Sequence, residues 1–494
     1  MQATPSDRPR PFRRGAVRAT AGRRQRGQAL VLGVVFLLVL AVGTVLLFNT
    51  GQVVHRKVQL TNAADAAAYS VAVQQARAWN FAAYMNRGRV ANEVAVAQFV
   101  SIYSWINHLN QAAFNLKTLF DALSLIPFPP VAIPARFLAT GFKVADQGLK
   151  AARRTAQPLI QGAITLLDEL NGFYAGAAAL AITFASKAEA MHIASTVLKG
   201  NVDRARLSTL GAGVLVGQLV ESQNRFLDFH RLPRRGQSEA FNRYRNVVMQ
   251  SRDEFSWNRS QSLGFAIKFA TYGGTDMVEY DRWAAMDTMQ LKIDFPSWLG
   301  MDDIDIPAGW GGAQAVSSYR RQRFLPGFNR NRGWRSPFDN RRHGIYGGMN
   351  PRDLVTRSAS GDPNVRVHGG QPKGAYFTGY NGLRDYHDLK KDKKGTYGNG
   401  PVFTVEATVD MREARTSNTV GLASGRMALR ERTARISALA SAEVYFERPV
   451  TLDMFRRHDG LREWGSLFSP YWQARLVETP GAVRNALGLA GGVT

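Results

Sequence analysis

The stretch QLTNAADAAAYSVAVQQARAW, residues 59–79, decides how this chain folds. It has no proline, no glycine and little apolar bulk, and it is rich in alanine, the strongest helix former. Ala63, Ala67 and Val71 fall on one i, i+4 row of a helix, and Ala64, Ala68 and Ala72 on the next. Small side chains on adjacent rows let a second element approach closely. Asn62 and Asp65 are i, i+3 neighbours and can bond a partner helix. The sequence therefore predicts a helix-packing face at Asn62, Ala63, Ala64, Asp65, Ala67 and Ala68. Whether it packs within the chain or against another subunit stays open at this level.

Immediately upstream, Ala29–Phe48 reads ALVLGVVFLLVLAVGTVLLF, 20 residues without a charge. At the helical rise this spans roughly 30 Å, the hydrocarbon thickness of a bilayer. A signal-peptide core is shorter, about 7–15 residues. We read residues 28–50 as a retained transmembrane helix and 1–27 as a basic tail. The first 26 residues hold eight arginines, Arg23, Arg24 and Arg26 nearest the span, against the single acid Asp7; only Arg56 and Lys57 follow closely on the other side. By the positive-inside rule the N-terminus is cytoplasmic and the bulk of the chain lies beyond the membrane. Asp65 then sits roughly 25 Å past the span, outside the bilayer.

No proline occurs between Pro11 and Pro127, so the span can continue as a stalk at least to Asn86-Arg87-Gly88, where a break is expected. Further helices are expected at about 90–125, 135–156, 158–199 and 202–230. The apolar runs 172–185 and 207–220, each about 14 residues and flanked by charge, read as buried core helices rather than spans. The proline-broken 124–138 is either a helix connector or a membrane-surface element. After about residue 235 glycine, arginine and aromatics rise, and period-2 segments at 262–272, 288–295, 401–409, 437–449 and 471–477 predict strands. The segment 411–433 is a helix or loop between strands. Residues 300–400 look like a long, strand-poor Gly/Arg-rich loop. The expected fold is α+β: an extracytoplasmic helical region over 51–235, then an α+β domain with antiparallel sheet over 236–494.

The chain has 494 residues, a formal charge of +25 and no cysteine, which excludes disulfides and thiolate chemistry. None of the eight histidines forms a metal-spaced pair, and no nucleophile elbow, P-loop or dinucleotide fingerprint is present. DYHDL (385–389) sets His387 between Asp385 and Asp388 without a nucleophile. MDDIDIP (301–307) reads as a solvated acidic turn, lacking the ligand pattern of a calcium loop. No cofactor, metal or catalytic residue is expected, and the protein is read as non-enzymatic. The basic segment 319–343 interleaves Arg320, Arg321, Arg323, Arg330, Arg332 and Arg335 with aromatics. That is the composition of single-strand nucleic-acid binders, but its place beyond the membrane argues for an anionic partner other than nucleic acid.

Residues 23–72 join a basic R-G-Q-A start (Arg26 to Ala29), an apolar span, Arg56-Lys57 and N-A-A-D-A-A-A (Asn62 to Ala68). In order and spacing this resembles the N-terminal signature of TadE/TadG-like proteins of the tight-adherence (Tad/Flp) pilus system. The resemblance implies a bacterial inner-membrane protein, a structural or scaffolding component of pilus assembly, with membrane lipid and other pilus-assembly proteins as partners and cell-wall polymer as a further candidate. The alternative is a membrane-anchored adhesin or wall-binding protein using 319–343. Two departures stand out. The fifth residue after Gly27 is Leu32, where pilin-like members carry Glu, so the resemblance implies a retained anchor rather than a processed subunit. No D-x-S-x-S metal motif is present, so no von Willebrand-type domain is implied.

Overall fold

The protein is described from a computed structural model covering residues 26–183, 188–233, 238–259, 261–264, 267–293, 304–317, 374–390, 399–417, 435–449 and 463–491. Its spine is one helix, α1, Arg26–Leu123, of 98 residues and about 150 Å at the helical rise. A five-residue turn leads into α2, Pro129–Thr183. The two helices run antiparallel: Asn92 bonds Asn171 at 3.0 Å, Tyr103 bonds Gln157 at 3.1 Å and Asn110 bonds Asp146 at 2.9 Å. Shorter helices follow: α3, Ala188–Asn201; α4, Thr209–Phe226; α5, Glu239–Gln250; α6, Glu254–Trp257; and α7, Gly481–Gly491.

Three sheets are laid along this spine. The first is antiparallel, ordered β1 (Arg206–Leu207), β9 (Asn399–Asp410), β10 (Arg435–Phe446), β11 (Trp472–Val477). The second pairs β2 (Leu227–His230) with β8 (Tyr386–Leu389). The third runs β3 (Gln261–Gly264), β4 (Ile267–Glu279), β5 (Arg282–Ile293), β6 (Ile304–Val316), β7 (Gly374–Phe377), with only β6 and β7 parallel. The α+β expectation is met; four predicted strand segments fall on single strands, while 262–272 holds two, β3 and the start of β4, paired antiparallel.

Two large cores result. One joins Leu60, Ala63, Ala64, Ala67, Ala68, Ala72 and Trp79 of α1 to Ala194 and Leu198 of α3 and to Phe403, Val405, Ala407, Ala438, Ala440 and Ala442 of β9 and β10. The other joins Val96, Ala97, Val100 and Tyr103 of α1 to Ile164 of α2, Phe241 and Tyr244 of α5, and Met277, Trp283, Ala313, Ala315 and Phe377 of the third sheet. Both cores draw residues from either side of residue 235.

Several expectations need correction. The helix does not break at Asn86-Arg87-Gly88. A Cβ on Gly88 would lie 3.1 Å from the Tyr174 ring, so this glycine admits α2 rather than ending α1. Asn86 donates to the Leu467 carbonyl at 2.7 Å and Arg87 to that of Phe468 at 2.8 Å, so these polar side chains dock the C-terminal segment. The boundary expected near 157 is also absent, and α2 continues through Pro134 and Pro158. Pro158 sits on the exposed side of the helix, where its ring meets water rather than a packed neighbour. The runs 172–185 and 207–220 are not buried throughout. Phe173, Leu180, Leu210 and Val216 are exposed, and each helix buries one face only. Within 300–400, where a strand-poor loop was expected, the described residues hold β6, β7 and β8, while 318–373 and 391–398 lie outside the described residues. MDDIDIP leads into β6 rather than forming a turn along its whole length; Pro307 faces Gln290 at a register shift in the β5–β6 ladder. Glycine hid β6 from a propensity reading, and tertiary contact explains it. A Cβ on Gly311 would fall 2.3 Å from the His108 backbone nitrogen, so glycine lets this strand lie directly on α1.

Candidate functional site

The candidate site is the apolar first part of α1, long enough to span a membrane, together with the rest of that helix. From Leu30 to Leu40 the large side chains of α1 are all exposed, as a lipid-facing helix requires. The hydroxyl of Thr44 donates to the Leu40 carbonyl at 2.8 Å, which satisfies its polar group within the helix. This is the one candidate span by length and composition among the described residues.

The folded body begins directly after Phe48. Asn49 is buried, donates to Ser417 Oγ at 2.8 Å, and accepts from the Ser417 backbone N–H at 2.6 Å. The end of the apolar run is thereby bonded to the segment after β9, 368 residues away in sequence. About two turns further, Arg56 donates to the Asp203 carbonyl at 3.2 Å, and Lys57 donates to the Ser437 carbonyl at the start of β10. Arg56 and Lys57, expected to mark topology, thus hold the folded body against α1. Arg26 begins the helix, while Arg23 and Arg24 lie outside the described residues.

The alanine face turns inward. Ala63, Ala64, Ala67 and Ala68 are fully buried in the first core. The same core takes small residues from β9 and β10, Ala407, Ala438, Ala440 and Ala442, beside the larger Phe403, Val405 and Val444. Asn62 is exposed, and Asp65 is half-buried with its carboxyl pushed up by desolvation. The helix-packing residues thus divide into four alanines inside the chain's own core and two polar neighbours at its margin.

Farther out, the stalk carries a buried polar cluster that its sequence did not single out. Glu93 of α1 is almost fully buried among Val90, Val96 and Ala97. Its Oε2 accepts from Tyr380 OH at 2.6 Å and Trp283 Nε1 at 3.0 Å, and its Oε1 accepts from Asn171 at 2.9 Å. Burial pushes this carboxyl up, and burial beside Glu93 holds the Tyr380 hydroxyl well above its usual range. Asp168 of α2 accepts from the Asn381 backbone at 2.8 Å and pairs with Arg384. Arg89 donates to the Arg384 carbonyl at 2.6 Å and sits over the ring of Tyr244, whose hydroxyl is pushed up to about 12. The cluster ties α1, α2, β5 and the segment after β7 together. A lone acid on an apolar helix face was the signal available in sequence.

Other candidates resolve as structure. Asp388 of DYHDL is buried and accepts from the backbones of Leu389 at 2.8 Å and Leu467 at 3.0 Å, while Asp385 accepts from Leu232 at 2.8 Å. His387 stacks on Phe229, 4.7 Å between ring centres. No group of acids and histidines able to hold a metal occurs among the described residues. The six arginines from Arg320 to Arg335 lie outside the described residues.

The contiguous helix, apolar up to Phe48 and alanine-lined from Ala63, is what the comparison with known families detects. Residues 27–75 match the family of putative Flp pilus-assembly TadE/G-like proteins. The match begins at the TadE/G-like R-G-Q-A start, covers the span and its exit, and ends within the buried alanine face. It supports a role in Flp pilus assembly. No curated protein and no solved structure matches the chain.

Proposed function

We propose that this chain is a non-enzymatic, membrane-anchored scaffold of Flp pilus assembly. Its N-terminus faces the cytoplasm, its span sits in the bacterial inner membrane, and its body lies in the periplasm. One observation supports the reading: the TadE/G-like segment holds both the apolar run long enough to span a membrane and the start of the alanine face that lines the first core. An anchor continuous with its cargo's core transmits position and orientation, which is what a scaffold contributes. The carboxylates of Glu93, Asp168 and Asp388 are bonded within the folded body and tie its elements together. Its proposed partners are the inner-membrane lipid and other pilus-assembly proteins.

Deleting the chain in its native host and counting surface pili by negative-stain electron microscopy tests this. Pili should be lost, restored by the full chain, and not restored by a chain lacking residues 1–50. Normal pili after deletion would overturn the assembly role. If surface attachment alone were lost, the result would favour an adhesin acting through 319–343.

A further inference from the structure

The turn between α1 and α2 lies at the end of the stalk farthest from the span. It reads SLIPFPPVAIPARF, residues 124–137. Leu125, Ile126, Phe128, Val131, Ile133 and Phe137 are all exposed, Leu125 and Phe137 at 81%. A contiguous apolar patch of this kind marks an interaction site.

The backbone of this tip identifies the phase it suits. From Ser124 to Ala132 every N–H has a backbone acceptor within the hairpin: Ser124 to Phe120, Leu125 to Ala122, Ile126 to Leu123, Phe128 to Ile126, and Val131 and Ala132 to Phe128. Pro127, Pro129 and Pro130 have no N–H. The Ser124 hydroxyl donates to the Asp121 carbonyl at 2.7 Å. Hydrocarbon accepts no hydrogen bonds, so a segment entering it must satisfy its donors internally, as this one does.

Cations lie at the matching depth. Arg136 is about 10 Å behind Pro129 along α2, and Lys117 about 9 Å behind Leu123 along α1, the depth of headgroups when an apolar face sinks roughly 5–10 Å. Arg136 and Lys143 are exposed and make no ion pair among the described residues, whereas Lys117 is paired with Asp121. Unbroken helix from Phe48 to Leu123 places the tip about 110 Å along α1 from the span. We propose that this tip, Leu125 to Phe137, inserts shallowly into an anionic lipid surface other than the bilayer that holds the span. The proposal goes beyond the scaffold reading and does not depend on it.

The test uses the full chain in phosphatidylcholine nanodiscs, which occupy the span, mixed with vesicles of phosphatidylethanolamine and phosphatidylglycerol and floated on a density gradient. The wild-type discs should rise with the vesicles. The chain has no cysteine, so Phe128→Cys carries one environment-sensitive fluorophore, whose emission should shift to the blue on vesicle binding. Leu125→Glu with Phe137→Glu should lower the floated fraction at least tenfold at an unchanged melting temperature. Arg136→Glu with Lys143→Glu should lower it severalfold. Discs that stay at the bottom, with no blue shift, would overturn the proposal and make the tip a protein-docking surface. Flotation of the double glutamate variant at the wild-type level would overturn it equally.

Discussion

Replacing Ala67 by leucine asks whether the alanine face serves the chain itself or a neighbouring subunit. Ala67 has no exposed surface and shares its core with Ala63, Ala64 and Ala68 on α1 and with Ala407, Ala438, Ala440 and Ala442 on the sheet. Leucine adds three heavy atoms at a position with no exposed surface, in a core shared by α1, α3 and the sheet. Added bulk in a well-packed core costs typically 1–3 kcal/mol, and this site, rigid on both sides, belongs at the upper end, about 2–3 kcal/mol. That is roughly a thirty- to 150-fold rise in the unfolding equilibrium constant. At about 2–4 °C per kcal/mol for a body of this size, the melting temperature should fall by roughly 4–12 °C. Intrinsic fluorescence in detergent reads the transition, since Trp79 lies in the same core, edge-on to Trp472 with ring centres 4.7 Å apart. Asn62→Leu, one turn away and exposed, is the control and should change stability by no more than about 0.5 kcal/mol. An Ala67→Leu chain that melts with the wild type while its self-association changes would refute the reasoning and make the alanine face an interface between subunits.

Asn49→Ala removes both halves of the Asn49–Ser417 pair and leaves the Ser417 N–H without its acceptor, a cost of about 1–3 kcal/mol. Amide hydrogen exchange over 411–417 should accelerate roughly tenfold or more; unchanged exchange would show that the body does not depend on this tie to the anchor. Glu93→Gln tests the buried carboxyl through pH. Because burial raises its folded pKa above 4.5, the folded state holds this proton more tightly than the unfolded chain. The folded state is therefore favoured as pH falls through the folded pKa toward 4.5, and the penalty of the buried charge is complete above the folded pKa. The melting temperature of the wild type relative to Glu93→Gln should rise as pH is lowered from about 8 to about 5. A difference that stays constant with pH would mean that Glu93 titrates alike in both states.

The local properties of the chain were legible without coordinates. Twenty uncharged apolar residues must be helical to satisfy their backbone in lipid, and the alanine-rich run beyond them has no residue to stop the helix, so span and stalk follow from composition alone. The five strand segments were equally readable, because alternation of side-chain type is set by the two faces of a sheet. Tertiary structure decided where those segments meet. Gly88 reads as a break and acts as a seat for Tyr174; Gly311 reads as loop and acts as the point where β6 touches α1. In both places the signal in sequence is only a missing side chain, and its meaning depends on what occupies the vacated space. The same holds for the opening alanines. Their spacing declares a surface of close approach, but the surface facing it is supplied by Ala407 and by Ala438 to Ala442, more than 300 residues later. Periodicity reports the shape of a helix face; only folding brings its partner to it.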